Sequence, residues 1–77
     1  MDYKKQLTEK QRERFAFMLK QKRLDMGLTI SDLAYKLGYS ESSISCWENK
    51  KKKPNLYKVE DVASFFGVTL NIMIGEE

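Results

Sequence analysis

The stretch GLTISDLAYKLGYSESSISCWEN, residues 27–49, holds two short amphipathic segments separated by a glycine. Thr29, with an aspartate three residues later, has the pattern of a capping box in which aspartate replaces the usual glutamate or glutamine. Gly38 allows the left-handed backbone that a short turn requires, and Ser40 is suited to cap the helix that follows. This pattern predicts a helix-turn-helix over about residues 29–49.

Apolar residues at helical spacing indicate which face of each of these two helices turns inward. The expected inward positions are Leu33, Ala34, Leu37, Ile44 and Trp47. The positions left outside on the second helix are Glu41, Ser42, Ser45 and Cys46, with Ser43 and Asn49 at the margins. These side chains are short, and serine is a mediocre helix former, so the outward face is better explained by a fit to a groove about 12 Å wide than by helix stability.

The rest of the chain predicts three more helices joined by short turns. A capping-box pattern at Thr8 begins a first helix that ends near Gly27. Asn55 is the expected N-cap of a fourth helix that ends at Gly67, and Thr69 begins a short last one. The expected inner face of the first helix carries Phe15, Leu19, Arg23 and Met26, with Met18 beside them. Three tyrosines are expected to be half-buried: Tyr35, Tyr39 and Tyr57.

The sequence has no strand pattern and no internal repeat. We therefore expect an all-α fold, a compact five-helix domain over residues 9–77 that follows an N-terminal extension, residues 1–8. The extension has no apolar periodicity, so it is expected to be frayed or a short addition to the first helix.

Length and composition limit the possible classes of protein. The chain has 77 residues, of which 42% are hydrophobic and 32% charged, which suits one domain with a small core. No apolar run approaches the roughly 20 residues that cross a bilayer, and the first residues lead into an amphipathic segment rather than an apolar signal sequence. One cysteine and no histidine leave no disulfide framework, no zinc cluster and no recognisable catalytic arrangement. We expect a cytoplasmic protein that is not an enzyme and has no cofactor.

Basic charge is unevenly distributed. Residues 1–23 hold 8 Lys or Arg against 3 Asp or Glu, a net of +5, whereas residues 24–77 hold 6 against 8, a net of −2. Within that acidic remainder Lys50–Lys53 stand together before Pro54, which a helix interior does not accept. A basic loop directly after the serine-rich helix is typical of a surface that contacts a polyanion. Lysine clusters also serve solubility, and charge alone does not separate the two interpretations.

Taken together, these features resemble the phage-repressor/Cro-type helix-turn-helix family, also called the XRE family. The resemblance covers about residues 12–74. It is carried by the Gly-Leu-Thr entry, the Leu-Ala pair, Lys-Leu-Gly at the turn, Ser-x-Ser-x-Ile into the third helix, Trp-Glu-Asn after it, and proline before the fourth. It implies a lambda-repressor-like domain that binds double-stranded DNA as a transcriptional regulator. In this family the third helix lies in the major groove, and members commonly pair as homodimers on palindromic operators.

The resemblance also implies roles for individual residues. The positions that match base-contacting places are Glu41, Ser42 and Cys46, with Ser45 as a neighbour. The positions that match phosphate-contacting places are Ser31, Ser40, Ser43, Asn49, Lys50, Lys51, Lys52 and Lys53. Arg23 and Glu48 match an arginine–glutamate pair that ties the first helix to the end of the third. We expect them to form a partly buried, bidentate ion pair with a structural role.

Three residues depart from the family pattern. Ile30 stands where relatives often have a glutamine that meets phosphate. Lys50 stands where glycine is frequent, so either Lys50 adopts a positive φ or the loop bends differently. Glu41 is repelled by phosphate unless it accepts a hydrogen bond from a cytosine amino group. Ile30 and Glu41 motivate an alternative hypothesis, a protein-interaction module such as an antitoxin or anti-repressor that keeps this fold without reading bases.

The last predicted helix, LNIMI, has more apolar residues than one inward face needs. We expect Leu70 and Met73 in the core, with Ile72 and Ile74 outside. An exposed apolar patch of this kind indicates a partner surface, most simply on a second copy of the chain. The alternative is that Ile74 folds back over Phe65 and binds nothing. The resemblance favours a homodimer through this helix, formed by Leu70, Ile72, Met73 and Ile74.

Overall fold

The structure, a computed structural model, describes residues 6–75. Most of these residues lie in five α-helices. The helices are α1 (Glu9–Asp25), α2 (Ile30–Leu37), α3 (Glu41–Glu48), α4 (Leu56–Phe66) and α5 (Leu70–Ile74). Within residues 6–75 the β-type pairing is an isolated antiparallel bridge between Gln6 and Asn55. The predicted all-α, five-helix fold is confirmed. None of the helices in this range is long and apolar enough to span a membrane.

Each helix begins at a residue whose side chain accepts a backbone N–H of the first turn. The five N-caps are Thr8, Thr29, Ser40, Asn55 and Thr69, all at positions that the sequence predicted. Thr8 and Thr29 complete full capping boxes with Gln11 and Asp32. The hydrogen bond from the Thr29 backbone lowers the pKa of the Asp32 carboxyl. Local side-chain chemistry therefore determines where the helices start.

The core forms around α1, which packs against α3, α4 and α5, while α2 packs against α3 and α4. The largest fully buried side chains come from every helix: Phe15, Leu19, Leu33, Ile44, Val59, Val62 and Met73. Trp47 of α3 meets the ring of Phe15 at 6.0 Å and the ring of Tyr39 at 5.5 Å between centroids, edge-on in both cases. These contacts fix the inner face of α3, and with it the face that remains outside.

The C-terminal helix differs from the prediction at Ile74. Ile74 is 2% exposed and Met73 is fully buried, so both belong to the core of the monomer. Ile72 is exposed, as predicted, and Leu70 is half-buried. The prediction that Ile74 lies outside is wrong because α5 is a five-residue helix that packs against both α1 and α4, so adjacent residues at its end both find apolar neighbours.

Leu7 also lies in the core, although the sequence placed it in the N-terminal extension. Its exposed fraction is 3%, and the bridge between Gln6 and Asn55 holds the adjacent backbone against the start of α4. One leucine without a periodic neighbour gives no helical signal, so the sequence pattern did not identify it. Residues 1–5 of the extension and the last two residues of the chain lie outside the described residues, and the domain boundary stays a prediction.

Three side chains that were expected to be at least partly buried are exposed: Tyr35, Tyr57 and Met26. Successive residues of an α-helix are about 100° apart. Tyr35 is two residues beyond the buried Leu33, and Tyr57 is two residues before the buried Val59, so each tyrosine lies on the outer face of its helix. Met26 is the C-cap of α1 and lies past the last helical turn.

Candidate nucleic-acid interface

Helix α3 turns its apolar residues inward and its polar residues toward solvent. Ile44 is fully buried, and Trp47 is 4% exposed. The other side carries the four side chains predicted to contact bases. Glu41 and Ser42 are exposed, and Ser45 and Cys46 are half-buried. All four are therefore at least partly accessible to solvent.

Hydrogen bonds order the polar side chains at both ends of this face. The Ser40 hydroxyl accepts the backbone N–H of Ser43 at 3.1 Å and donates to the Ser43 hydroxyl at 3.0 Å. At the other end, the Asn49 side-chain amide donates to Ser45 Oγ at 3.3 Å. Among the predicted phosphate-contacting residues Ser31, Ser40 and Asn49 are exposed and Ser43 is half-buried.

A buried ion pair joins α1 to the end of α3. Arg23 Nε and Nη2 donate to the two carboxylate oxygens of Glu48 at 2.7 and 3.0 Å, and Nη1 donates to the Leu28 carbonyl at 2.9 Å. The hydrogen bond to Glu48 raises the pKa of Arg23, against the opposite effect of burial. The pair has the bidentate geometry that the sequence predicted. It fixes the direction in which α3 ends.

The chain leaves α3 through a left-handed residue, Lys50, with a φ of 62°. The Lys50 N–H donates to the Trp47 carbonyl at 3.2 Å, and the Lys51 N–H donates to the Cys46 carbonyl at 2.8 Å. These two bonds form a Schellman motif, whose left-handed position is usually glycine. A positive φ at Lys50 was one of the two outcomes that the sequence allowed. The four residues Lys50–Lys53, here called the lysine loop, are exposed beside the end of α3.

Two residues of α1 contact the lysine loop, and the sequence analysis did not identify them. Arg12 Nη1 donates to the Lys50 carbonyl at 3.2 Å. Glu9 accepts from Arg12 Nη2 with one carboxylate oxygen, while its other oxygen lies 3.6 Å from Lys53 Nζ. We call these four residues, Glu9, Arg12, Lys50 and Lys53, the loop clamp. Its signal in the sequence is an acid and a base three residues apart in the first turn of α1, which is common on helix surfaces.

Tyr39 fixes the turn between α2 and α3. Its hydroxyl donates to an Asp61 carboxylate oxygen in α4 at 2.7 Å. Lys58 Nζ lies 5.8 Å from the ring centroid of Tyr39 and 6.0 Å from that of Trp47, within the range of a cation–π interaction. Burial, together with the hydrogen bond to Asp61, raises the pKa of Tyr39 to about 12. With Gly38 in the left-handed region at a φ of 79°, the turn holds α3 at a defined angle to α2.

A family model described as helix-turn-helix matches residues 19–73, a range that includes α2, α3 and the lysine loop. The chain belongs to the helix-turn-helix family. This result confirms the XRE-type resemblance that the motifs around the α2–α3 turn indicated.

One curated relative is the HTH-type transcriptional activator BcrR of Enterococcus faecalis, 38% identical over 60 residues. Those residues make up 77% of this chain and 29% of BcrR, so the chain spans less than a third of that relative's length.

Solved structures share the arrangement of helices. A hypothetical transcription factor, NHTF from Neisseria, matches with a TM-score of 0.77 at 24% identity, over 88% of this chain and 80% of that one. SinR in complex with DNA, described as the master regulator for biofilm formation, matches with a TM-score of 0.70 at 27% identity, over 77% and 95% of the two chains. A complex of SinR with the SinI protein matches with a TM-score of 0.73 at 27% identity, over 80% and 61%.

Proposed function

We propose that this protein is a transcriptional regulator that binds double-stranded DNA at specific sequences, with α3 in the major groove. The observation that carries the proposal is the outward face of α3, where short side chains are accessible and the lysine loop follows at once. A helix of this kind fits a groove about 12 Å wide, and lysines beside its end lie along the phosphates. Family membership supports the same role, as do the transcriptional activator BcrR and the SinR structure with DNA.

Base reading is assigned to the four accessible side chains of α3. The hydroxyls of Ser42 and Ser45 donate or accept hydrogen bonds at base edges, and Cys46 contacts a thymine methyl group. Glu41 accepts from a cytosine amino group, which offsets its repulsion by nearby phosphates. Because these side chains are short, α3 has to lie deep in the groove.

Phosphate contact is assigned to the polar residues around this face. They are Ser31, Ser40, Ser43, Asn49 and the lysine loop. Such contacts set the position of the protein on the duplex and carry no sequence information of their own.

Fluorescence anisotropy with a random-sequence duplex tests the electrostatic part of the proposal. If about 6 phosphates are neutralised per monomer, log affinity should fall against log salt concentration with a slope near −5. A signal that is absent or independent of salt would contradict DNA binding. Selection of bound duplexes from a random library then tests sequence specificity and reveals the operator.

Variants separate the two groups of contacts. Replacing Lys51 and Lys52 with alanine should weaken binding to all sequences alike, whereas Ser42→Ala or Cys46→Ala should change which sequence is preferred. The matched control replaces Lys10 and Lys20 with alanine, which removes the same charge from exposed positions of α1 that are not among the predicted phosphate-contacting residues. Equal losses in the two double variants would contradict the placement of the lysine loop at the phosphates.

We also infer that two copies bind one operator. Of the four residues predicted to form the pairing surface, Met73 and Ile74 lie in the core, which leaves the exposed Ile72 beside the half-buried Leu70. Because this surface is small, we expect a monomer in sedimentation equilibrium and pairing on DNA. Selected duplexes should then contain two half-sites about one helical turn apart, and Ile72→Ser should weaken binding to two half-sites more than to one. Selected duplexes that all contain a single half-site would contradict pairing.

We propose a cytoplasmic location, because a regulator that binds chromosomal DNA in a bacterium must be in the cytoplasm. The proposed role involves contacts to bases and phosphates and no catalytic step, so we propose that the protein is not an enzyme.

A protein-interaction module is the second candidate, and a groove beside two exposed apolar side chains of α1 favours it. Phe17 and Leu24 on the outer side of α1 are 61% and 52% exposed. They line a groove of about 400 Å³ whose other walls include Lys20 and Glu48. SinR, which shares this fold, has been solved with a protein partner. Under this candidate, affinity stays at the nonspecific level for every duplex, and Phe17→Ser abolishes binding to one stoichiometric protein partner.

A further inference from the structure

We propose that Glu9 competes with DNA for the lysine loop: its carboxylate pairs with Lys53 in the free protein, and a DNA phosphate takes its place in the complex. The inference rests on the proposed function, because it concerns the same loop. It adds a residue of α1 that sets DNA affinity without touching a base.

The loop clamp places one carboxylate between two cations. One oxygen of Glu9 is bonded to Arg12 Nη2, and the other lies 3.6 Å from Lys53 Nζ. Arg12 in turn donates to the carbonyl of Lys50, the left-handed residue at which the loop begins. The loop is therefore attached to α1 at both ends, through its backbone at Lys50 and through a side chain at Lys53.

The two attachments differ in exposure. The Arg12 side chain is 21% exposed, and its Nε is buried with no hydrogen-bond partner among the described residues. The Glu9 side chain is 69% exposed, and that of Lys53 is 29% exposed. Glu9 is thus open to solvent and Lys53 is partly open, which leaves room for a phosphate oxygen to approach Lys53 from outside. The contact of Arg12 with the Lys50 carbonyl holds the loop backbone in place during that exchange.

The exchange has an electrostatic cost to binding. When a phosphate binds Lys53, the ammonium group must give up or weaken its contact with the Glu9 carboxylate. Glu9 then lies near a phosphate that is also negatively charged. Exposed ion pairs are weak, so Glu9 lowers affinity without preventing binding. Removing its charge should therefore tighten binding by about threefold to fivefold at low ionic strength, with a smaller gain as salt screens both interactions.

Glu9→Gln measured by fluorescence anisotropy tests the competition. The gain in affinity should be the same for random and selected duplexes, because Lys53 contacts phosphate and not bases. The matched control is Glu13→Gln, one turn further along α1, where the same charge is removed from an exposed position that forms no ion pair with the described part of the chain. The gain in DNA affinity from Glu9→Gln should exceed the gain from Glu13→Gln.

A second comparison shows whether the gain acts through Lys53. In a Lys53→Gln background, the gain in DNA affinity from Glu9→Gln should be no larger than the gain from the Glu13→Gln control in the wild-type background. Equal gains from the two glutamate variants in the wild-type background, or an undiminished gain from Glu9→Gln without Lys53, would overturn the competition and leave the proposed function intact. A folded wild-type protein that binds no duplex would refute the proposed function itself.

Discussion

Two carboxylates tie α1 to the place where the chain leaves α3, and they do so in different surroundings. Glu48 accepts two hydrogen bonds from Arg23 near the last turn of α1, the shorter at 2.7 Å, with 5% of its side chain exposed. Glu9 is shared between Arg12 and Lys53 at the first turn of α1, with 69% of its side chain exposed and 3.6 Å to Lys53. Each pair joins the first helix of the fold to the proposed interface.

The difference in exposure separates structural pairs from exchangeable ones. A charge removed from water is strongly unfavourable without a partner, so Arg23 and Glu48 depend on each other for the folded state. An exposed pair contributes about 0–1 kcal/mol and exchanges with ions from solution, so Glu9 and Lys53 can respond to an approaching phosphate. The same helix thus holds α3 firmly at one end and the lysine loop loosely at the other.

The largest expected effect comes from breaking the buried pair on one side. Glu48→Leu leaves Arg23 buried without its carboxylate, so the free energy of unfolding should fall by about 3–5 kcal/mol. Urea denaturation followed by circular dichroism measures this loss. The double variant Arg23→Met/Glu48→Leu should lose less, because it buries no lone charge. A double variant less stable than the single one would contradict this explanation.

The Arg23–Glu48 pair and the loop clamp also differ in how far the sequence predicts them. The Arg23–Glu48 pair follows from the family resemblance, and the N-caps follow from capping chemistry that acts over three residues, as at Thr8 and Ser40. The loop clamp depends on where the first turn of α1 lies relative to a loop 38 residues later in the chain, as the bond from Arg12 to Lys50 shows, and no local pattern encodes that distance.

Burial near the two ends of the chain was missed for a related reason. Leu7 and Ile74 are buried by neighbours from other helices, and their own segments are too short to show a period. The outward face of α3 was predicted well because eight residues with two apolar anchors, Ile44 and Trp47, are enough to define a face.

The hydrogen-bonded pair of the half-buried Tyr39 and the exposed Asp61 should respond to alkaline pH. The pKa of Tyr39 in the folded protein is about 12, above the value of about 10 for an unperturbed tyrosine. The folded state therefore holds this proton more tightly, so the stabilisation is complete below about pH 10 and is lost as the pH rises toward about 12. Urea denaturation between these limits should show a steeper loss for the wild type than for Tyr39→Phe. The same pH dependence in both proteins would contradict this role for Tyr39.

A smaller effect is expected at Lys50, where the loop clamp holds a left-handed residue. Lys50→Gly should raise the free energy of unfolding by about 0.5–1 kcal/mol, because glycine adopts a positive φ without a steric cost. Lys50→Ala is the matched control, since it removes the same charge and keeps the Cβ atom. Thermal unfolding should rank glycine above alanine, whereas both should weaken DNA binding to a similar degree. An alanine variant as stable as the glycine variant would show that the left-handed residue costs nothing here.

The smallest effect on stability should come from the exposed carboxylate. Glu9→Gln should change the free energy of unfolding by less than about 0.5 kcal/mol, because its ion pairs are open to water and an amide retains part of the hydrogen bonding to Arg12. Urea denaturation under the conditions used for Glu48→Leu makes the two carboxylates directly comparable. A loss above about 1 kcal/mol would place Glu9 with Glu48 among the structural charges. Lys53 would then be part of the fold and poorly suited to exchange its partner for a phosphate, so this measurement decides whether the two ends of α1 differ in role or merely in exposure.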